Sequence, residues 1–479
     1  MGIPAYYSYL IKNHPEILEK FATAQHFYLD CNSIIYDVVN QFKDTLNEVE
    51  IILLVIQKIE EYISLISPET VTITFDGVAP FAKLCQQRER RFKSYYQNKS
   101  LKKKQTWDTT KITPGTPFMK LLTKMVKEYF GKYDVLACDI PGEGEHKLFE
   151  VLRSRRCEDK HIIYGLDSDL IMLGMLHLDI SPNIFLYRET PVYIKSINPS
   201  LDEKEDYLLN LHLLSQLILK KMGGTIVDYV FISFLMGNDF MPHFPSLNIR
   251  TGGIDKIIAA YRCHPNQIIT IDREKKDIAI NWQNFRIFLS YLSDKEEEYI
   301  KTEYAVRERK LFQGTDKCQR FENIPVIDRE IEIYINPKKP GWEERYYESL
   351  FDKKCYPEDY LKGMIWNMTY YVFGCIDYHW HYPYHYPPLL KDLIACVPSY
   401  EEHIIWEKME NDITDVEQLC YVLPICSLHI LPDDIRRRLK KEWYIDDCAF
   451  SWAFCKYFWE SHTNLPEIDF MELRNCINI

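Results

Sequence analysis

The 479-residue sequence is marked first by what it lacks. None of its 14 cysteines stands in a CxxC pair and their spacing is irregular. That excludes a disulfide scaffold and fits free thiols in a reducing compartment; no zinc site is expected. No apolar run is long enough to cross a bilayer. The most apolar stretch, Ile51 to Ile66, carries Lys58, Glu60 and Glu61 and reads as an amphipathic helix, so no membrane partner is expected. There is no internal repeat and no low-complexity linker, which implies regions packed on one another. No secretory signal opens the chain, and an intracellular setting is expected, cytoplasmic rather than nuclear. Excess positive charge is also missing: the net charge is −12, which at first argues against a nucleic-acid partner.

What is present changes that reading. Hydrophobic residues make up 46% and charged residues 27%, as in a soluble protein with a real core. Aromatics reach 14%, with 34 Tyr, enough to build stacking surfaces as well as packing. Charge is unevenly placed: between Lys83 and Lys104 there are nine Lys or Arg and one acid, Glu89. A basic strip of this kind can bind phosphate within an acidic protein.

Up to about residue 260, short apolar runs alternate with helical patterns. His26–Leu29, Val71–Phe75 and His161–Leu166 read as strands, each followed at once by an acid: Asp30, Asp76 and Asp167. The alternation implies an α/β domain with a parallel sheet covered by helices. Ligands of such sheets sit beyond the carboxyl ends of the strands, so the three acids should meet at one edge. Lys83–Lys104 reads as a basic helix, and Leu208–Met222 and Asp228–Met236 as further helices. From about 265 to 340 the chain is charged and reads as irregular. A second ordered region, rich in Trp and Tyr, starts near Pro340. The division is thus a core over 1–265, a variable connection over 266–340 and a second region over 341–479.

The acids of interest are Asp30, Asp76, Glu143, Glu145, Asp167, Asp169 and Asp239, in the settings YLD, TFDG, PGEGEHK, GLDSD and MGNDF. Glu143 and Glu145 precede a helical pattern, where the helix dipole tolerates negative charge. Asp167 and Asp169 are two apart and would face one side of an extended backbone. For any single acid, a cap or a solvated turn is the ordinary explanation. Three apolar strands ending in Asp, together with GEGE and GND, weaken that explanation. So many carboxylates at one place repel unless cations neutralise them, and hard oxygen ligands suit Mg²⁺ or Mn²⁺. Two such ions about 4 Å apart can drive phosphodiester hydrolysis.

These segments resemble the XRN 5′→3′ exoribonucleases. The resemblance is carried by MGIPAYYSYL, YLDCNSIIY, TFDGVAPFAKLCQQRERRFKS, ITPGTPFM, PGEGEHKLFEVLR, YGLDSDLIMLG and VFISFLMGNDFMPHFPSL, then by GWEERYY and GCIDYHWHYPYHYPP. It implies a compact member with the two core regions of the family: a PIN-like, flap-nuclease-like α/β core, and a second, mainly helical region closing over the active site. It implies that the seven acids bind metal, two Mg²⁺ or Mn²⁺ ions, and that the substrate is single-stranded RNA with a 5′ monophosphate. Lys83, Gln87, Arg90 and Arg91 fall where the family binds that phosphate. Their spacing of i, i+4, i+7 and i+8 also puts them on one helical face, where Arg and Lys can make charge-assisted bonds to phosphate. Trp380 falls where the family stacks an aromatic on a base. Tyr36 stands where a His is common, and Tyr378 where a Trp is common. Lys147 is left open between orienting a phosphate and capping a salt bridge. A flap- or DNA-directed 5′ nuclease is the alternative, and an inactive RNA-binding scaffold a second. The complete set of seven acids argues against the scaffold.

Overall fold

The computed structural model describes residues 2–42, 46–102, 107–189, 196, 198–202, 204–309, 314, 316–399, 409 and 411–478. Its centre is a sheet of seven strands: β1 (Leu18–Lys20), β2 (His26–Asp30), β3 (Thr70–Thr74), β4 (Asp134–Leu136), β5 (His161–Tyr164), β6 (Ile184–Arg188) and β7 (Tyr207–Asn210), in the order β1-β7-β6-β5-β2-β3-β4. Five strands, from β6 to β4, are parallel. β7 runs antiparallel to β6, and β1 antiparallel to β7. The sheet is therefore mixed rather than wholly parallel. Apolar runs disclose strands but not their direction, which the connections set. The reversed strands lie at one edge, away from β2 and β3.

β2, β3 and β5 are buried almost throughout, as expected of runs covered on both faces. Alternate side chains feed two cores: Tyr28 and Ile163 join one hydrophobic cluster, and Phe27, Leu29, Ile162 and Tyr164 the other. Seven helices belong to this part: α1 (Tyr6–Asn13), α2 (Asn32–Phe42), α3 (Glu48–Ile66), α4 (Phe81–Ser100), α5 (Pro117–Tyr129), α6 (Gly144–Ser154) and α7 (Asp169–Leu176). The Ile51–Ile66 run lies in α3, started by a capping box between Asn47 and Glu50. Among the described residues no helix is long and apolar enough to cross a membrane. The cysteines are all free thiols.

Two sequence expectations shift here. Leu208–Met222 is the end of β7 followed by a helix, Leu211–Met222, and Asp228–Met236 is a helix, Ile226–Ser233, that tightens into a 3-10 turn. The described residues between 265 and 340 are also far from irregular. A hairpin, Ile269–Asp272 with Asp277–Ile280, leads into a 27-residue helix, Trp282–Glu308. Trp282, Phe285, Phe288, Leu289 and Leu292 enter the first core cluster. The charges that hid this periodicity are pairs along its surface, such as Lys301 with Glu297, and a buried pair in which Arg307 Nε donates to Glu332 Oε1 at 2.9 Å. Farther on, the helix Pro357–Phe373 is buried over most of its length and packs on α7.

Candidate active site

The parallel register brings the acids together. Asp30 is the last residue of β2 and pairs with Thr74, the last of β3. Asp76 follows two residues after β3, and Asp167 three residues after β5. Glu143 is the N-cap of α6 and Glu145 lies in its first turn. Gly144 sits against the cluster: its N–H donates to Asp76 Oδ1 at 2.8 Å, and an added Cβ would stand 2.7 Å from Asp30 Oδ1. The positive end of α6 thus faces these carboxylates. Asp169 is the first residue of α7. Ser168 before it is in the right-handed helical region, so Asp167 and Asp169 are separated by a turn and not by extended backbone. Asp239 arrives from the loop after the 3-10 turn Phe234–Met236.

Oxygens of Asp30, Asp76 and Glu145 lie within 4.8 Å of one another. Burial pushes the Asp30 carboxyl well up, and the charges of Asp76 and Asp167 push it further. Burial also raises Glu145, helped by Glu143. Asp169 is pushed up to about 7, by burial first and also by Asp239. Such shifts mark carboxylates crowded together in low dielectric. Hard oxygens in this arrangement fit divalent cations, whose charge would return the acids to their ionised form.

Lys83 lies inside the cluster. Its Nζ stands 2.6 Å from Glu143 Oε2 and 2.8 Å from Asp239 Oδ2. Burial alone would raise the Asp239 carboxyl, but this ammonium overrides it and holds the group below its ordinary range. The position read as part of a phosphate pocket therefore faces acids. Lys147 Nζ donates to the Phe75 and Ala137 carbonyls at 2.8 and 2.9 Å, tying the ends of β3 and β4 together.

Four contributors were not anticipated. The Asn32 side chain both donates to the Asp76 carboxylate and accepts from the Asp76 N–H. Tyr370 O–H donates to Glu143 Oε1, and Tyr371 O–H to Asp169 Oδ1, each at 2.8 Å. Both tyrosines come from the helix Pro357–Phe373. Gly2 donates its N–H to Asp239 Oδ1 at 3.2 Å; its φ is +57°, and an added Cβ would lie 2.2 Å from Asp169 Oδ1. Asn32 was open to discovery from YLDCNS, two residues past Asp30. The tyrosines carried no signal beyond the aromatic richness of their region.

The rest of α4 divides its charges. Arg88 donates to the Trp443 carbonyl, and Lys93 to the Trp459 and Ser461 carbonyls. These residues fasten the second region. Arg91 Nη1 and Gln87 Oε1 are buried without hydrogen-bond partners, while the Arg90 side chain is exposed. Tyr36 lies beside both arginines, and burial lowers the Arg91 guanidinium to about 10. Trp380 stacks on Trp366 with ring centroids 4.8 Å apart. It packs against the first core cluster and Tyr36 against the second. Tyr378 hydrogen-bonds through its carbonyl to the N–H of Phe81, at the start of α4. Beside Asp239 opens a cleft of about 590 Å³, with Arg88, Arg90, Lys93, Arg250 and Lys353 along its walls.

A mixed α/β sheet with acids at its carboxyl edge and a helical region over them defines a class of acid-centred nucleases, and comparison with known proteins agrees. The family model "XRN 5′-3′ exonuclease N-terminus" matches residues 1–190, and "Xrn1 helical domain" matches residues 220–337 and 327–476. The chain belongs to the XRN 5′-3′ exonuclease family. It is similar to 5′-3′ exoribonuclease 2 of Candida albicans, with 24% identity over all of this chain and 72% of that protein. It is 26% identical to human 5′-3′ exoribonuclease 1, over 98% of this chain and 33% of that one. Among solved structures, the catalytic core of Rad2 in complex with DNA substrate aligns with 77% of this chain and all of that one, at 12% identity and a TM-score of 0.38, too loose to bear on the reading.

Proposed function

We propose that this chain degrades single-stranded RNA from a 5′-monophosphate end, releasing mononucleotides, with two divalent cations, Mg²⁺ or Mn²⁺, held by Asp30, Asp76, Glu143, Glu145, Asp167, Asp169 and Asp239. The observation that carries this is the convergence of the seven acids at one sheet edge, several of them buried with raised carboxyl pKa values. When bound, the cations supply Lewis acidity toward the scissile phosphate and lower the pKa of an attacking water. The protein's own groups hold the acids in place. Tyr370, Tyr371, Asn32 and the Gly144 N–H donate to Glu143, Asp169 and Asp76. Lys83 offsets charge between Glu143 and Asp239.

The 5′ phosphate is assigned to Arg91, Arg90 and Gln87. A buried guanidinium N–H left without a partner costs about 1–3 kcal/mol, and a phosphate oxygen would remove that cost. Tyr36 beside these arginines offers a ring face to the first base, and Trp380 offers one farther along the strand. Stacking of this kind holds RNA without reading its sequence. The test compares matched substrates with a labelled end: 5′-monophosphate RNA, 5′-triphosphate RNA and 5′-monophosphate DNA, each with Mg²⁺. Mononucleotides from the first, and little from the second, are expected. Equal rates on the two RNA ends would refute the phosphate pocket. Faster cutting of DNA would favour a DNA-directed nuclease.

A further inference from the structure

We infer that His26, Cys157, His161 and Asp159 form a zinc site at the edge of the sheet opposite the acidic cluster. His26 and His161 open β2 and β5 and are directly paired in the parallel register. Their side chains therefore share one sheet face, with ring centroids 4.7 Å apart. Cys157 lies four residues before His161, on the loop that enters β5. Its Sγ is 3.3 Å from His161 Nε2 and 3.6 Å from His26 Nε2. Asp159 Oδ2 is 3.3 Å from the same His26 nitrogen. From His26 to Asp30 is four strand steps of about 3.3 Å, so the group stands about 13 Å from the acids at the other end of β2.

Three features favour a metal over a thiol–imidazole hydrogen bond. One S–H proton cannot serve two imidazole nitrogens, whereas one cation between them can. The outer nitrogens are engaged elsewhere: His26 Nδ1 with Thr70 Oγ1 at 2.8 Å and His161 Nδ1 with Tyr28 O–H at 3.3 Å. Ligand histidines are held in this way by partners on their other nitrogen, which aims the coordinating lone pair inward. Two neutral imidazoles, a thiolate and a carboxylate also sum to −2, balancing a dication. Donor type selects the ion: nitrogen and sulfur favour Zn²⁺ in tetrahedral geometry, not the Mg²⁺ or Mn²⁺ suited to the all-oxygen cluster. The loop is already shaped for this. Asn183 Nδ2 donates to the Glu158 carbonyl at 2.6 Å, and Lys160 N–H to Gln25 Oε1 at 3.0 Å. The CxxxH spacing in CEDKH is a weak local signal on its own, because His26 lies about 130 residues away and Asp159 on an exposed turn.

The test is metal content. The full chain is equilibrated with Zn²⁺ in excess Mg²⁺, desalted and analysed by mass spectrometry of the elements. About one zinc per chain is expected in the wild type and none in Cys157→Ser. With Co²⁺ as the probe, a thiolate-to-cobalt charge-transfer band should appear in the wild type and be missing from the variant. Cys157 is half-buried and Asp159 exposed, so both tolerate substitution. Should Cys157→Ser fail to fold, Asp159→Asn takes its place, with affinity at least about tenfold weaker expected. Equal zinc in wild type and variant, or a wild type that takes up neither metal, would overturn the site.

Discussion

Replacing Lys83 with Met keeps most of the buried stem and deletes the ammonium that lies 2.6 Å from Glu143 and 2.8 Å from Asp239. All three side chains are less than a tenth exposed. Removing one partner of a buried ion pair costs about 3–5 kcal/mol, because the other charge stays buried and uncompensated. The unfolding entropy of about 2.1 cal/mol/K per residue sums over 479 residues to about 1 kcal/mol/K. In the metal-free protein the Tm of Lys83→Met should thus fall by ~3–5 °C. The lysine and the proposed cations act on the same carboxylates, so Mg²⁺ should stabilise the variant more than the wild type and narrow this deficit. Calorimetry of both proteins, in EDTA and in saturating Mg²⁺, measures it. A deficit of the same size in both conditions would refute the idea that lysine and metal neutralise one cluster. No deficit at all would refute the buried ion pair.

Asp169→Ala should abolish hydrolysis while RNA binding, followed by fluorescence anisotropy, stays largely intact; full activity would contradict its assignment as a ligand. Arg91→Ala should lower the preference for monophosphate over triphosphate ends by roughly tenfold to a hundredfold, the equivalent of a lost charge-assisted bond. Trp380→Ala and Tyr36→Ala should each weaken RNA binding by about 1–3 kcal/mol, with Tyr36→Phe near silent; losses that merely track a lower Tm would make both residues structural. Glu296 in the long helix accepts from the Leu390 N–H at 2.8 Å, and burial pushes its carboxyl from 4.5 up to about 8. Its folded pKa exceeds the unfolded one, so its contribution is fully present below about pH 4.5 and is lost toward pH 8, by up to ~1.4 kcal/mol per pH unit. Glu296→Gln removes that slope, and its Tm should gain on the wild type as pH rises through this window; parallel Tm–pH curves would show that Glu296 does not titrate there.

Three of the acids are legible because each ends or follows a strand of the parallel part of the sheet, and such strands end at a common edge. Asp30, Asp76 and Asp167 need only that rule, and Glu143 and Glu145 only the start of a helix. What a local pattern does not carry is tertiary information. Spacing put Lys83, Gln87, Arg90 and Arg91 on one face of α4, correctly, but spacing does not say what that face meets. Its first turn reaches the sheet edge, so Lys83 meets Glu143 and Asp239, while Arg90, two turns on, is exposed. The i, i+2 spacing of Asp167 and Asp169 suits an extended backbone, yet the helical conformation of Ser168 starts α7 between them. Tyr370 and Tyr371 were invisible because their acids lie about 200 residues earlier, and no local pattern records such a pairing.

Those two tyrosines explain why the second region is part of the site and not simply a cover. Glu143 and Asp169 are buried, and a buried carboxylate must be hydrogen-bonded or neutralised. Tyr370 and Tyr371 meet that need with neutral donors, leaving the remaining lone pairs free for a cation. Neutral donors matter here, since further lysines would compete with the proposed cations for the same carboxylates. The helix that carries them is fixed by its own bonds to the Asp239 loop: Asn238 Nδ2 donates to Asn367 Oδ1 at 2.8 Å, and Tyr360 O–H to the Pro242 carbonyl at 2.9 Å. On the other side, α4 sends Lys83 into the acids and Arg88 and Lys93 to carbonyls between 443 and 461. Each region thus satisfies polar groups that the other buries. The acids of the sheet and the tyrosines of the second region form one electrostatic unit.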